Sequence, residues 1–218
     1  VKLSNGTYMP LDPTWVPFCR ELWSSAEQQQ NYLPGVPEGS DLCITPVSAP
    51  ENHYVRIKAD NRLDADGTLR GTFTLTAEGQ SDSNIRRIFT TGFQSEWKST
   101  MERQLLAISP KARLLSVDYG KNPKDYQAAP IKITFRYEIP DYALRGEGEM
   151  FFRPMVMNNL YNQVRSYIWI DTSVENRKYG FKDGCSRLVE LDETIQLPAG
   201  YKLVSAAKDE TMQGVGAD

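Results

Sequence analysis

Seven prolines, at positions 10, 13, 17, 34, 37, 46 and 50, stand in the first fifty residues of the chain. Each removes a backbone donor and blocks a helix interior or a central strand. Long regular elements are therefore excluded there. What remains is turns, short extended pieces such as "NYLPGV" and "SDLCITPV", and one short helix between Cys19 and Asn31, "CRELWSSAEQQQN", where good helix formers sit between prolines.

From Asn52 the pattern becomes one of clean alternation. In "HYVRIKA", Val55, Ile57 and Ala59 point one way and Tyr54, Arg56 and Lys58 the other; in "TLRGTFTLTA", Leu69, Gly71, Phe73, Leu75 and Ala77 share the inward face. The intervening "LDADGT", with Asp66-Gly67, predicts a hairpin. After Gly79 the period lengthens. Ser81 or Asp82 can cap a helix carrying Ile85, Ile88 and Phe89, and Ser95 a second with Trp97, Met101, Leu105 and Ile108 on one stripe. Strand patterns return at "RLLSVDYG", "PIKITFRYEI", "GEMFFRP", "SYIWIDTS", "SRLVELDETIQL" and "YKLVSA". The fold class expected is mainly β (α+β). Residues 51–218 would form an antiparallel β-sandwich-like domain with a helical pair over 81–108, preceded by a Pro-rich segment over 1–50.

Composition narrows the partners. The net charge is −3, from 25 basic and 28 acidic residues spread along the chain, so no positive field is present to hold a nucleic acid. Apolar runs such as "RSYIWI" are far too short to cross a bilayer. Cys19, Cys43 and Cys185 are odd in number and widely spaced, which supports neither a zinc knuckle nor a dense disulfide framework; their redox state is open. No cofactor is expected. At the start of the chain, Asn5-Gly6 is a strong hairpin turn signal and "VKLSNGTYMPLDPTW" lacks the pattern of a signal peptide. Because a natural protein seldom begins mid-hairpin, an excised fragment of a longer parent is expected.

The stretch "GTYMPLDPTW" resembles the last active-site strand of the transglutaminase-like, papain-type superfamily, in which the triad runs Cys, His and then an Asp near "LDPT". The similarity continues through "ELWSSAEQQQNYLPGVPEGSDLCITPVSAPENHY", "LDADGTLRGTFTLTAEG" and "NRKYGFKDGCSRLVELDETIQLPAGYKL". It implies that residues 1–50 are the end of such a core and its linker, and that 51–218 are the β-rich domain of unknown function following it in bacterial proteins. By that resemblance Asp12 would be the triad aspartate, which orients a histidine. The parent would be periplasmic, extracellular or attached to the cell surface. A thiol enzyme of this type needs a Cys and a His before the Asp, so the chain itself is not expected to be an enzyme. Its expected role is a non-catalytic accessory domain whose partner is the upstream core. The alternative is an independent module binding a protein, peptide or glycan ligand.

Each motif also has a plainer reading. Asp12 before Pro13 is a common turn starter. A dyad of Cys19 with His53, the only histidine, runs in the wrong order for the family, and Cys19 lies among Trp15, Phe18 and Trp23 as a small hydrophobe would. "DADG" at 64–67 offers alternate carboxylates but lacks the glycine and glutamate spacing of a calcium loop, so a hairpin turn is favoured. Glu147 and Glu149 share a face of an expected strand but have no apolar wall to raise a pKa. Trp23, Trp97 and Trp169 could stack on sugars, yet Trp97 and Trp169 fit core periodicity. Asn5-Gly6-Thr7 fits both a glycosylation sequon and a hairpin.

Overall fold

The structure, a computed structural model, describes residues 1–14, 21, 23–127, 129–156, 175–176, 178 and 184–214. Its elements are β1 (Asn31–Tyr32), β2 (Cys43–Ile44), β3 (Val55–Leu63), β4 (Leu69–Ala77), α1 (Gly79–Thr90), α2 (Trp97–Leu106), β5 (Arg113–Asp118), β6 (Ile131–Ile139), β7 (Leu144–Arg145), β8 (Met150–Phe151) and β9 (Val189–Gln196), with 3₁₀ turns at Ser25–Glu27, Pro50–His53 and Gln94–Glu96. Among its described residues, the strands of the Pro-rich segment are two residues long, β1 paired with β2, as its missing donors dictate. The helix expected over Cys19–Asn31 is corrected: among its described residues there is a single 3₁₀ turn, Ser25–Glu27, and Asn31 already belongs to β1.

Among the described residues, five strands form the main sheet in the order β5-β6-β4-β3-β9. The hairpin β3–β4 closes where expected: the Gly67 N–H donates to Asp64 O at 2.9 Å, and Gly67 takes φ +80°. Register puts Val55, Ile57, Ala59 and Leu63 of β3 opposite Ala77, Leu75, Phe73 and Leu69 of β4, and these in turn opposite the odd-numbered residues Ile131 to Ile139 of β6. One face of these three central strands is therefore largely apolar. Phe73 and Phe135 stack there with ring centroids 4.3 Å apart. The helices cover this face: Ile85 and Phe89 of α1 and Trp97, Met101 and Leu105 of α2 are buried in the same core. Each such side chain stabilises the fold by roughly 1.5–3 kcal/mol relative to exposure.

The expectation of a purely antiparallel sheet is corrected by β9, which runs parallel to β3 with Val55 opposite Val189 and Arg62 opposite Gln196. Alternation specifies which side chains face inward and is blind to strand direction. The far face of the sheet is polar. Arg56, Lys58, Asp60 and Arg62 of β3 are exposed, and Arg56 pairs with Glu190 while Lys58 lies 3.9 Å from Asp192. Beyond this sheet, the ladders among the described residues are those of β1–β2, β7–β8 and the Lys2–Tyr8 bridge. The "YKLVSA" stretch, expected to be a strand, is exposed and joins no strand pairing among the described residues. "SYIWIDTS" lies outside the described residues.

Two polar devices interrupt the core. Asn61, on the inward face of β3, crosses over Gly71 so that its Oδ1 accepts from Tyr137 OH, while its Nδ2 donates to Glu193 Oε1 at 2.6 Å. Gly71 makes this possible, because a Cβ there would stand 2.0 Å from Asn61 Oδ1. Glu193 accepts in addition from the Val156 N–H at 3.0 Å, so β9 is held by side chains as well as by its ladder. On α1, Asp82 and Arg86 form a buried i, i+4 ion pair at 2.6 Å. Asp82 Oδ1 also accepts from the Ile131 N–H, and Arg86 donates to the carbonyls of Pro123, Asp125 and Ala129, fastening the β5–β6 connection to the helix.

Candidate functional site

The most developed polar cluster sits where the Pro-rich segment meets the sheet domain. His53 closes the 3₁₀ turn Pro50–His53 and is fully buried. Its Nδ1 accepts from the Gln80 N–H at 3.0 Å, and its backbone carbonyl accepts from Ser81 Oγ at 2.8 Å, so both ends of the residue engage the first turn of α1. Gly79 allows this approach: it adopts φ +62°, and a Cβ on it would lie 2.3 Å from His53 Nδ1 and 2.2 Å from Asn52 O.

On the other side of the ring, Nε2 lies 2.6 Å from Ser48 Oγ and 3.5 Å from Glu21 Oε2. The Ser48 hydroxyl donates to that same Glu21 carboxylate, and Asn52 Nδ2 donates to Glu21 Oε1 at 2.9 Å. Ser48 is further fixed by its own N–H, which donates to Gln28 Oε1 at 3.0 Å. Ser48 and Glu21 thus meet the imidazole directly, with Gln28 and Asn52 fixing them from behind, and Glu21 and Asn52 stand 31 positions apart in a segment poor in regular structure. Burial pushes the imidazole below its ordinary value; Glu21 opposes that shift and Arg187 adds to it.

A serine, a histidine and a carboxylate within reach of one another invite comparison with a hydrolase triad, but the protons run the wrong way. In a triad the serine donates to the imidazole, which donates to the acid. Here Nδ1 is occupied as an acceptor, so the ring proton is on Nε2 and points at Ser48, whose hydroxyl proton goes to Glu21. No imidazole lone pair faces the hydroxyl, and Ser48 and His53 are wholly buried. The arrangement ties chain segments together.

Asp12 belongs to no such cluster. Its Oδ1 accepts from Thr14 N at 2.9 Å and from Thr14 Oγ1 at 2.6 Å, a local turn across Pro13, which is the plain geometry that Asp-Pro favours. The carboxylate beside the sole histidine is Glu21, a residue that nothing in the sequence singled out. Cys19, Trp15, Phe18 and Trp169 lie outside the described residues. Trp23 and Trp97 are buried, as packing residues are. Asp64 pairs with Arg62 and Arg70, and Asp66 accepts from the Thr68 N–H at 2.9 Å, so the "DADG" carboxylates have protein partners; no metal-binding group of three or more His, Cys, Asp or Glu occurs among the described residues. Glu147 and Glu149 fall in the exposed turn between β7 and β8, where the Gly146 N–H donates to Glu149 O, and not along a strand. At the Asn5 sequon, Asn5 Oδ1 accepts from both Thr7 N and Thr7 Oγ1, inside the expected hairpin.

A second feature is a shallow groove of about 450 Å³ beside the β7–β8 hairpin, lined by Tyr142, Leu144, Phe151, Phe152 and Arg153. Leu144 and Phe151 stand opposite each other and are both exposed, and Tyr142 OH donates to Arg153 O at 2.7 Å. Among the described residues, no helix is long and apolar enough to cross a membrane. No family model matches the chain, and neither the curated proteins nor the solved structures contain a match to it.

Proposed function

We propose that this chain is a non-catalytic accessory unit joined to the end of a transglutaminase-like core, and that it braces that core or presents it to substrate in a periplasmic or surface-exposed parent. The observation that carries the reading is where apolar surface is left open. Val1, Leu3, Tyr8, Leu11, Leu33, Leu42, Ile44 and Val47 are exposed within the first fifty residues, as are Phe93, Leu144, Phe151, Leu203 and Val204 elsewhere, while Trp23, Ser24, Ser25 and Gln28 are buried. A Pro-rich segment that leaves this many large apolar groups open offers a surface that another part can cover. The His53 tie gives the brace its stiffness, because it joins that segment to α1 through buried bonds.

The residues encoded before Val1 test this directly. A Cys and a His at the spacing of a papain-type core support it, and their absence from the upstream reading frame removes it. In the parent, Asp12→Asn should lower acyl transfer by orders of magnitude with the fold intact if Asp12 is the orienting acid; an unchanged rate takes Asp12 out of the site.

A second reading, an independent module for a peptide or glycan, is favoured by the groove at Tyr142, Phe151 and Phe152, since aromatic side chains beside a polar group suit either ligand. Titration with oligosaccharides and extended peptides should move the ring resonances of Phe151 and Tyr142. Unmoved resonances across both panels remove this reading.

A further inference from the structure

We infer that the tie at His53 is an acid-opened latch: with a neutral imidazole it clamps residues 23–53 onto the N-terminus of α1, and proton uptake releases that segment while the sheet stays folded. This goes beyond the accessory role and does not depend on what covers the exposed apolar side chains.

The geometry makes the ring's protonation state a structural requirement. A second ring proton would sit on Nδ1, where the Gln80 N–H already points from 3.0 Å, so two donors would face each other. The ring cannot retreat, since Gly79 closes on Nδ1 so tightly that a Cβ there would be 2.3 Å away. Of the charged groups acting on His53, Glu21 would welcome an imidazolium and Arg187 would repel it. The Glu21 carboxylate is already shared between Ser48 and Asn52, and the imidazole is wholly buried, so burial outweighs Glu21. The sheet is insulated from this event. Its inward polar group, the Tyr137–Asn61–Glu193 chain, does not involve His53, and Asp82 turns away to Arg86.

The sign follows. A folded-state value depressed below the ordinary 6.5 means that the released state takes up a proton the clamped state refuses, so the clamp is at full strength above pH 6.5 and weakens as pH falls toward the folded value. Over that window the protection of amides in 23–53 should drop about tenfold per pH unit.

His53 is the sole histidine, so its imidazole resonances report its titration without overlap. Hydrogen exchange measured alongside should show 23–53 losing protection in that window while β3, β4 and β6 keep theirs. Replacement of His53→Gln supplies the control, because an amide can accept from Gln80 and donate to Ser48 without titrating; the pH dependence should vanish. If the variant does not fold, the comparison of segment with sheet in the unaltered protein decides the matter. The inference is overturned if His53 titrates at or above 6.5, if segment and sheet lose protection together, or if the Gln variant keeps the wild-type pH dependence.

Discussion

At the scale of single residues, two glycines carry more than their size suggests. Gly71 is the one inward position of β4 without a side chain, and Asn61 uses that space to reach Tyr137. Gly71→Ala should cost more than about 2 kcal/mol in urea unfolding, by displacing Asn61 and leaving Tyr137 OH and Glu193 short of partners. Adding Asn61→Ala removes part of the clash, so the double variant should be less destabilised than the sum of the two singles; simple additivity would refute the account. This scale also separates what sequence made legible from what it did not. Asp12 before Pro13 announces its turn, because the bond to Thr14 is local. Glu21 and Ser48 announced nothing: their only mark is proximity to His53, and that proximity is made by a proline-punctuated path that has no period to read.

At the scale of elements, the hairpin β3–β4, the strand β6 and the α1–α2 pair were legible because each repeats its period over nine or more residues, although the helices begin at Gly79 and Trp97 without the side-chain caps expected from Ser81, Asp82 or Ser95. The direction of β9 was not, since nothing within its eight residues distinguishes a parallel from an antiparallel neighbour. Nor did the sequence mark the clamp between α1 and the β5–β6 connection. Burial lifts the Asp82 carboxyl above its usual value, against the pull of Arg86 and the Ile131 N–H, so the charge is tolerated only because Arg86 answers it. Arg86→Met should therefore destabilise the protein by about 3–5 kcal/mol, leaving a buried uncompensated carboxylate. The further change Asp82→Asn should recover part of that loss. A calorimetric scan showing no recovery would mean that lost packing, and not stranded charge, is the cause.

For the whole molecule, the open apolar side chains and the sheet are separable. Replacing Leu33, Leu42 and Ile44 by serine should leave the unfolding midpoint within about 0.5 kcal/mol of the original while lowering self-association in sedimentation, since these side chains are 65%, 69% and 67% exposed and support little. A large loss of stability would show that they pack in solution. The parallel docking of β9 on β3 bears on how the protein comes into being. Val55 and Val189 are neighbours across that ladder although nearly the whole domain separates them in the chain. Such distant partners must find each other late, which slows closure of a sheet. During synthesis β3 and β4 can pair at once, but the outer side of β3 stays bare until the ribosome has delivered Gln196. A message cut short before that point would yield a product with an open, adhesive strand, one that chaperones and proteases are equipped to catch.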